Sequence, residues 1–208
     1  MSSWFHAPSR TEVGIPFLER WLEDVLVTPG LTSIDDRDEA RRMLVDDALR
    51  AVPVVRRLPG EVLDVGSGGG SPGIPLAAML PERRFTLLEA QRRKAEFLAR
   101  VAEGLPNVEV VRGRAEEQPL DAWGVVLAKA LAKPPVAAEL TLPLVQPGGI
   151  AILWASPTAE RAKVAHAATT LSAELEEDRD GLLILRKVGP TPPGFPRRPG
   201  LAKKRPLA

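Results

Sequence analysis

The sequence predicts an α/β domain: a mostly parallel, seven-stranded sheet with a helical cap before it and an antiparallel hairpin at its end. Three observations carry this expectation. Short apolar runs alternate with amphipathic stretches between residues 61 and 154, the pattern of repeated β-α-β units. The first run ends in a glycine cluster, as a strand does when it turns tightly into a helix. Asp180-Gly181 separates two late strand-like runs, a hairpin signal.

The elements follow in order. Residues 1–12 lack periodicity and read as a loose arm. Phe17, Leu18, Trp21, Leu22, Val25 and Leu26 recur at helical spacing, and Pro29-Gly30 ends that helix. Ser33 or Asp35 caps a second helix running to about Val55, with Pro53 as a breaker near its end. Residues 61–65 (EVLDV) form the first strand, followed by a helix to Leu80. Residues 84–88 form the second strand, followed by a helix over 90–104. Residues 108–111, 123–128 and 150–154 complete the parallel set, the last entered through a Pro147-Gly148-Gly149 turn. Residues 158–171 are helical, and 173–177 and 182–188 form the hairpin. A parallel core ending in an antiparallel pair is the arrangement of class I Rossmann-like methyltransferases. Three parts are expected: an arm and cap over 1–57, the core over 58–190, and an extended basic, proline-rich tail over 191–208.

Composition narrows the chemistry. The 208 residues suit one domain with an extension. An apolar share of 44%, a charged share of 26% and a net charge of +1 describe an ordinary globular chain rather than a polycation. Cysteine is absent, which excludes disulfides, a thiolate nucleophile and cysteine-bound zinc. His6 and His166 are the only imidazoles, too few for a His-built metal site, so no metal is expected. No apolar run is long enough to span a membrane, and Met1 to Arg10 lacks a signal-peptide core. A cytoplasmic monomer is the expectation.

The chemistry centres on VLDVGSGGGSPG, residues 62–73. Glycines here let the backbone take positive φ and approach a ligand closely. Gly68, Gly70 and Gly73 make a G-x-G-x-x-G, a pattern that nicotinamide and flavin enzymes share. Asp64, two residues before Gly66, points instead to S-adenosylmethionine, either by ordering the loop or by meeting the methionine ammonium through water. Glu89 ends the second strand, where a carboxylate accepts both ribose hydroxyl protons; the alternative is a helix-start acid. Ala90 follows it. After the third strand, the Ala115 amide and the Glu116 side chain are placed to bracket an adenine, against the alternative of an N-terminal acid pair. The tail carries Arg197, Arg198, Lys203, Lys204 and Arg205 without an acid. With Lys133 these are the candidate RNA-binding residues, and Phe195 is the aromatic best placed to stack on a base; a solubilising tail is the alternative.

These residues resemble the RsmG (GidB) family, which methylates N7 of a guanine in small-subunit ribosomal RNA. DVGSGGGSPGIPLA (64–77) is similar to its cofactor loop, and LLEAQRRKAEFL (87–98) to its second strand and helix. GRAEE (113–117) and LPLVQPGG (142–149) also match. LTSIDDRDEARRMLVDDAL (31–49) and FPRRPGLAKKRPL (195–207) resemble the two terminal signatures. The resemblance implies cofactor contacts at Gly66, Ser71, Ala115 and Glu116, beside Gly68 of the glycine pattern. It also implies a cationic residue shared by cofactor and catalytic sites at Lys129, with ribosomal RNA or the small subunit as partner. Three positions depart from the family pattern: Lys129 where arginine is usual, Met43 where histidine is usual, and Gly30 where asparagine is usual. Arginine offers a planar fork and lysine a point charge, so the first of these is not neutral. Guanine N7 has an exposed lone pair and loses no proton on methylation, so alignment matters more than a base. The missing cysteine excludes the covalent route to cytosine C5. The stretch after the fourth strand, AKALAKPP, lacks the Pro-Pro-aromatic motif of exocyclic-amine methylases.

Overall fold

Mostly apolar strand runs bury both faces of a sheet under helices, and here they assemble one seven-stranded sheet. The computed structural model describes residues 10–156, 159–179 and 181–207. Helix α1 (Arg10–Val27), α2 (Arg37–Ala40), a π-helical turn (Arg41–Asp46), α3 (Asp47–Leu49) and α4 (Val52–Arg57) precede the sheet. Then come β1 (Val62–Val65), α5 (Gly73–Met79), β2 (Phe85–Glu89), α6 (Arg92–Ala102), β3 (Val108–Arg112) and β4 (Trp123–Ala128). Helix α7 (Pro134–Thr141), β5 (Val145–Trp154), α8 (Arg161–Thr170), β6 (Ala173–Arg179), β7 (Leu182–Lys187) and α9 (Leu201–Lys204) complete the chain. The strands lie in the order β3-β2-β1-β4-β5-β7-β6; the first five run parallel, and β7 pairs antiparallel with both β5 and β6. The predicted mostly parallel seven-stranded sheet with a final hairpin is what the chain forms.

The two faces separate by the period of two expected of strands. Val62, Val125, Leu127, Ile150, Ile152 and Ile184 pack with α1, α5 and α6. Leu63, Val65, Val126, Ala151, Leu153 and Leu183 pack with α7 and α8. Trp21 and Leu22 of α1 are almost wholly buried in the first of these cores. Each fully buried leucine there contributes roughly 1.5–3 kcal/mol of transfer free energy. Asp64 shares the parity of Val62, so its carboxylate points toward α5.

Several expectations need correction. Residues 1–9 of the expected arm, Thr158 and Asp180 lie outside the described residues, but the chain is already helical from Arg10. The second helix is not continuous. Asp36, rather than Ser33 or Asp35, caps it by accepting the Glu39 N–H at 2.7 Å. It then widens into the π-helical turn and breaks before α4, where Pro53 starts a helix instead of ending one. Pro147-Gly148-Gly149 is not a turn before β5 but lies within it, at an irregularity opposite residues 123–125. Helix α7 was not expected. Nearly all its side chains are buried, so no polar face marks its period, and it opens on two prolines. The tail is not extended. It carries α9 and returns to the core, where Phe195 and Leu207 pack against the face formed by α7 and α8. Its root is held by Lys187, wholly buried, whose ammonium donates to the Leu142 carbonyl and the Thr191 hydroxyl at 2.8 Å each. Burial pushes the pKa of this lysine down, against the pull of Asp121 3.3 Å away. Among the described residues, no helix is long and apolar enough to cross a membrane, and no group of three His, Asp or Glu side chains is arranged to hold a metal.

Candidate functional site

In a sheet of this order the crevice opens at the carboxyl ends of β1 and β4, where successive connections leave in opposite directions. A cavity of about 530 Å³ lies there. The loop after β1 forms its floor. Gly66, Gly68 and Gly70 have φ of 72°, 57° and 110°, a left-handed path that residues with a Cβ rarely take. The amides of Gly66 and Ser67 both donate to the Leu88 carbonyl, at 2.8 and 3.1 Å, stitching the loop to β2. Glu89, 6% exposed, closes the adjacent wall. Its Oε2 accepts the Gly68 N–H at 2.9 Å and its Oε1 the Gln91 N–H at 2.7 Å. The carboxylate is therefore held rigidly at the end of β2, and each oxygen retains a lone pair.

Asp64 lies beneath the loop. Its Oδ2 accepts the Gly73 N–H at 3.1 Å, which fixes the start of α5. Its Oδ1 is buried without a hydrogen-bond partner. Burial pushes the Asp64 pKa up to about 7, against the lowering effects of the Ser67 side chain and the Gly73 amide. A cavity of this size falls within the roughly 300–1,000 Å³ typical of small-molecule sites. With a glycine cradle that a Cβ would fill and a clamped acid, its residues fit a nucleoside bearing an amino-acid end.

The opposite rim comes from β4 and the cap. Lys129 follows β4 directly, and the next residue, Ala130, is left-handed at φ 54°, a strain of about 1–3 kcal/mol for alanine. The Lys129 ammonium lies 2.8 Å from Asp47 Oδ2 and donates to the Met43 carbonyl. Ser71 donates to the Leu44 carbonyl at 2.8 Å, and Trp21 Nε1 donates to the Gly69 carbonyl at 2.9 Å. The loop is thus tied to the cap at two points and the end of β4 at Lys129, and Trp21, Val25, Leu31 and Leu44 supply an apolar wall.

The family model for GidB, rRNA small subunit methyltransferase G, matches residues 18–178. The chain belongs to this family. The ribosomal RNA small subunit methyltransferase G of Thermotoga sp. (strain RQ2) is 34% identical over 213 residues, covering 94% of this chain and 92% of that protein. Its counterpart from Rubrobacter xylanophilus is 40% identical over 173 residues, covering 73% of this chain and 66% of that protein. The fold is shared with a branched-chain polyamine synthase mutein from Thermus thermophilus bound to 5'-methylthioadenosine, at a TM-score of 0.60, 18% identity, and 85% and 54% coverage of the two chains. It is also shared with the T. thermophilus 16S rRNA N2 G1207 methyltransferase, at a TM-score of 0.53, 17% identity, and 72% and 40% coverage.

Against this GidB-family frame, the expected site residues divide. Gly66, Gly68, Ser71, Glu89, Ala90, Ala115, Glu116, Lys129 and Lys203 all line the cavity. Asp64 does not line it; it supports the loop from below, the first of the two roles foreseen for it. Glu116 is held in the lining by the Gly200 N–H, which its Oε1 accepts at 3.0 Å. Lys133 is exposed at the start of α7, off the cavity. Arg197 is not an open RNA contact: its guanidinium is occupied by Glu139, at 2.5 and 2.6 Å. Phe195 is partly buried in the core and not offered to a base. Arg198, Lys204 and Arg205 are exposed and lie outside the cavity. Sequence reasoning missed the wall from α1 and the cap, because Trp21 at helical spacing reads simply as core. It also missed Asp47 and Glu139, which look like ordinary helix acids until their partners are placed.

Proposed function

We propose that this chain transfers the methyl group of S-adenosylmethionine to N7 of a guanine in 16S ribosomal RNA, acting in the cytoplasm as a monomer. The observation that carries the reading is the clamped Glu89 carboxylate beside the glycine loop, in a chain of the GidB family. Glu89 accepts the ribose hydroxyls, the residues after β3 hold the adenine, and the loop of Gly66 to Ser71 holds the amino-acid end. Bound there, the cofactor supplies an electrophilic methyl on a sulfonium. Guanine N7 would accept that methyl group through its exposed lone pair, without first losing a proton. The positive charge passes to the base and no proton moves, so the site needs alignment and exclusion of water rather than a base. Lys129, at the cap side of the cavity, orients the target base. Small subunits from a strain lacking the gene should accept labelled methyl groups from the purified protein at one guanine of 16S RNA, mapped as N7-methylguanine. Tight cofactor binding without transfer would leave a non-catalytic binder, and label on another molecule a different substrate; either result defeats the proposal.

Two expectations arise from the loop. A Cβ on Gly68 finds only the Gly66 carbonyl, 3.8 Å away, so Gly68→Val should fail to bind S-adenosylmethionine at a stability cost confined to its left-handed φ of 57°. A Cβ on Gly66 comes within 2.5 Å of Leu131, so Gly66→Val should lose both binding and some stability. Calorimetric titration with a melting curve checks both, and unchanged affinity in a folded Gly68→Val would remove the loop from the site. The second expectation concerns pH. The Asp64 pKa is raised from 3.8 to about 7 on folding, so its contribution favours the fold below pH 4 and is lost as pH rises through 7. Asp64→Asn should therefore flatten the decline of melting temperature between pH 4 and 7. An unchanged profile would show that Asp64 does not titrate in that window.

A further inference from the structure

We infer that residues 197–204 form a strap that positions the cofactor, held against the nucleoside end of the cavity by the Glu139–Arg197 ion pair; this rests on the S-adenosylmethionine site proposed above. Glu139 projects from α7 and is only 3% exposed. A carboxylate so buried is costly unless it is paired and fully hydrogen-bonded. Arg197 pairs with it through both arms of its fork, Nε to Oε1 at 2.5 Å and a terminal nitrogen to Oε2 at 2.6 Å. The same terminal nitrogen donates to the Arg205 carbonyl at 2.7 Å, so one guanidinium ties both ends of the strap to α7. Lysine has no such planar fork and would not hold two points at once.

Between those ties the chain crosses to the cavity. Gly200, left-handed at φ 79°, donates its N–H to Glu116 Oε1 at 3.0 Å, reaching the short turn after β3. Ala202 is 3% exposed, and Gly200, Ala202 and Lys203 line the cavity beside Ala115 and Leu140. A four-residue helix such as α9 has no stability of its own, so its place comes from these contacts. The strap covers the part of the cavity where the residues after β3 meet an adenine, and it sets the orientation of Glu116. It is prebuilt, so ordering it does not draw on binding energy. A tail that served only as an RNA arm would keep its first arginine in solvent.

The test uses the full chain, Arg197→Met, and a truncation after Arg198 that keeps the ion pair but removes Gly200, Ala202 and Lys203. Each is titrated with S-adenosylmethionine and with 5'-methylthioadenosine, which lacks the amino-acid end, at a temperature where its circular dichroism shows a folded chain. Both variants should lose roughly tenfold or more in affinity for both ligands by the same factor. Arg197→Met should also raise the KM for cofactor while kcat at saturating cofactor stays close to that of the full chain. If Arg197→Met does not fold, the truncation decides alone. A folded truncation that binds both ligands as tightly as the full chain overturns the strap. A truncation that cannot fold makes the segment a support of the domain and overturns it equally. A full chain that binds no S-adenosylmethionine defeats the proposed function, and the strap with it.

Discussion

Replacing Glu89 by alanine should weaken S-adenosylmethionine binding by about 1–3 kcal/mol, roughly five- to 150-fold. Two losses add. The ribose hydroxyls lose a charged acceptor, and the Gly68 and Gln91 amides, now held at 2.9 and 2.7 Å, lose theirs. The second loss loosens the loop and so costs affinity even where the ligand makes no direct contact. Glu89→Gln separates the two. A carboxamide can accept only one of the two amides and turns an NH2 toward the other, so the loop should suffer while an uncharged acceptor remains. Titration calorimetry with a parallel melting curve measures both. A change in affinity of only a few tenths of a kcal/mol in Glu89→Ala would make the residue a helix-start acid and nothing more.

Lys129→Ala should lower single-turnover methylation by roughly 10²-fold while cofactor affinity falls far less. The lysine bridges the end of β4 to the cap, through Asp47 at 2.8 Å and the Met43 carbonyl. Without it, the π-helical turn loses its tie to the cavity rim, and Asp47 is left with Arg50, 2.6 Å away, among the described residues. The target base would then meet a rim that no longer holds one geometry. If the whole loss lies in affinity, Lys129 belongs to the cofactor. Lys129 and Met43, two positions where the resemblance leads one to expect other residues, touch each other. Lys129→Arg must therefore seat a wider fork beside a backbone acceptor already placed for lysine. Retained turnover would show that the pair with Asp47 is what matters, and its abolition that the rim is built around lysine.

The parts of the fold legible in the sequence are those whose physics is local. β1, β2 and β4 announce themselves as buried apolar runs, and the glycines after β1 as a turn no other residue follows as easily. Glu89 is legible because it stands at the end of a strand in a known relation to that turn. Helix α7 was not legible, since burial on all sides erases the amphipathic period by which helices are read. The break in the cap was equally hidden, because a π-helical turn keeps helical composition. The most consequential misreading concerns Arg197. A run of cations in a proline-rich tail looks like a nucleic-acid arm on composition alone. Its real partner, Glu139, lies 58 residues away in a helix that was itself unseen. Charge pairing over that separation leaves no local trace.

The cavity takes one wall from Trp21 and another from Lys203, so it is closed by residues near opposite ends of the described chain. Such closure has a cost in time. The parallel strands can pair as the polypeptide emerges during translation, but the final wall arrives only after the hairpin, and loop closures of this length form late. Cofactor capture is accordingly expected to follow, not guide, the assembly of the sheet. A molecule clipped within its tail would keep a well-formed sheet yet hold the ligand poorly. Ligand then stabilises by mass action only the finished form, and the shift in melting temperature it produces becomes a gauge of how much of a preparation has completed folding.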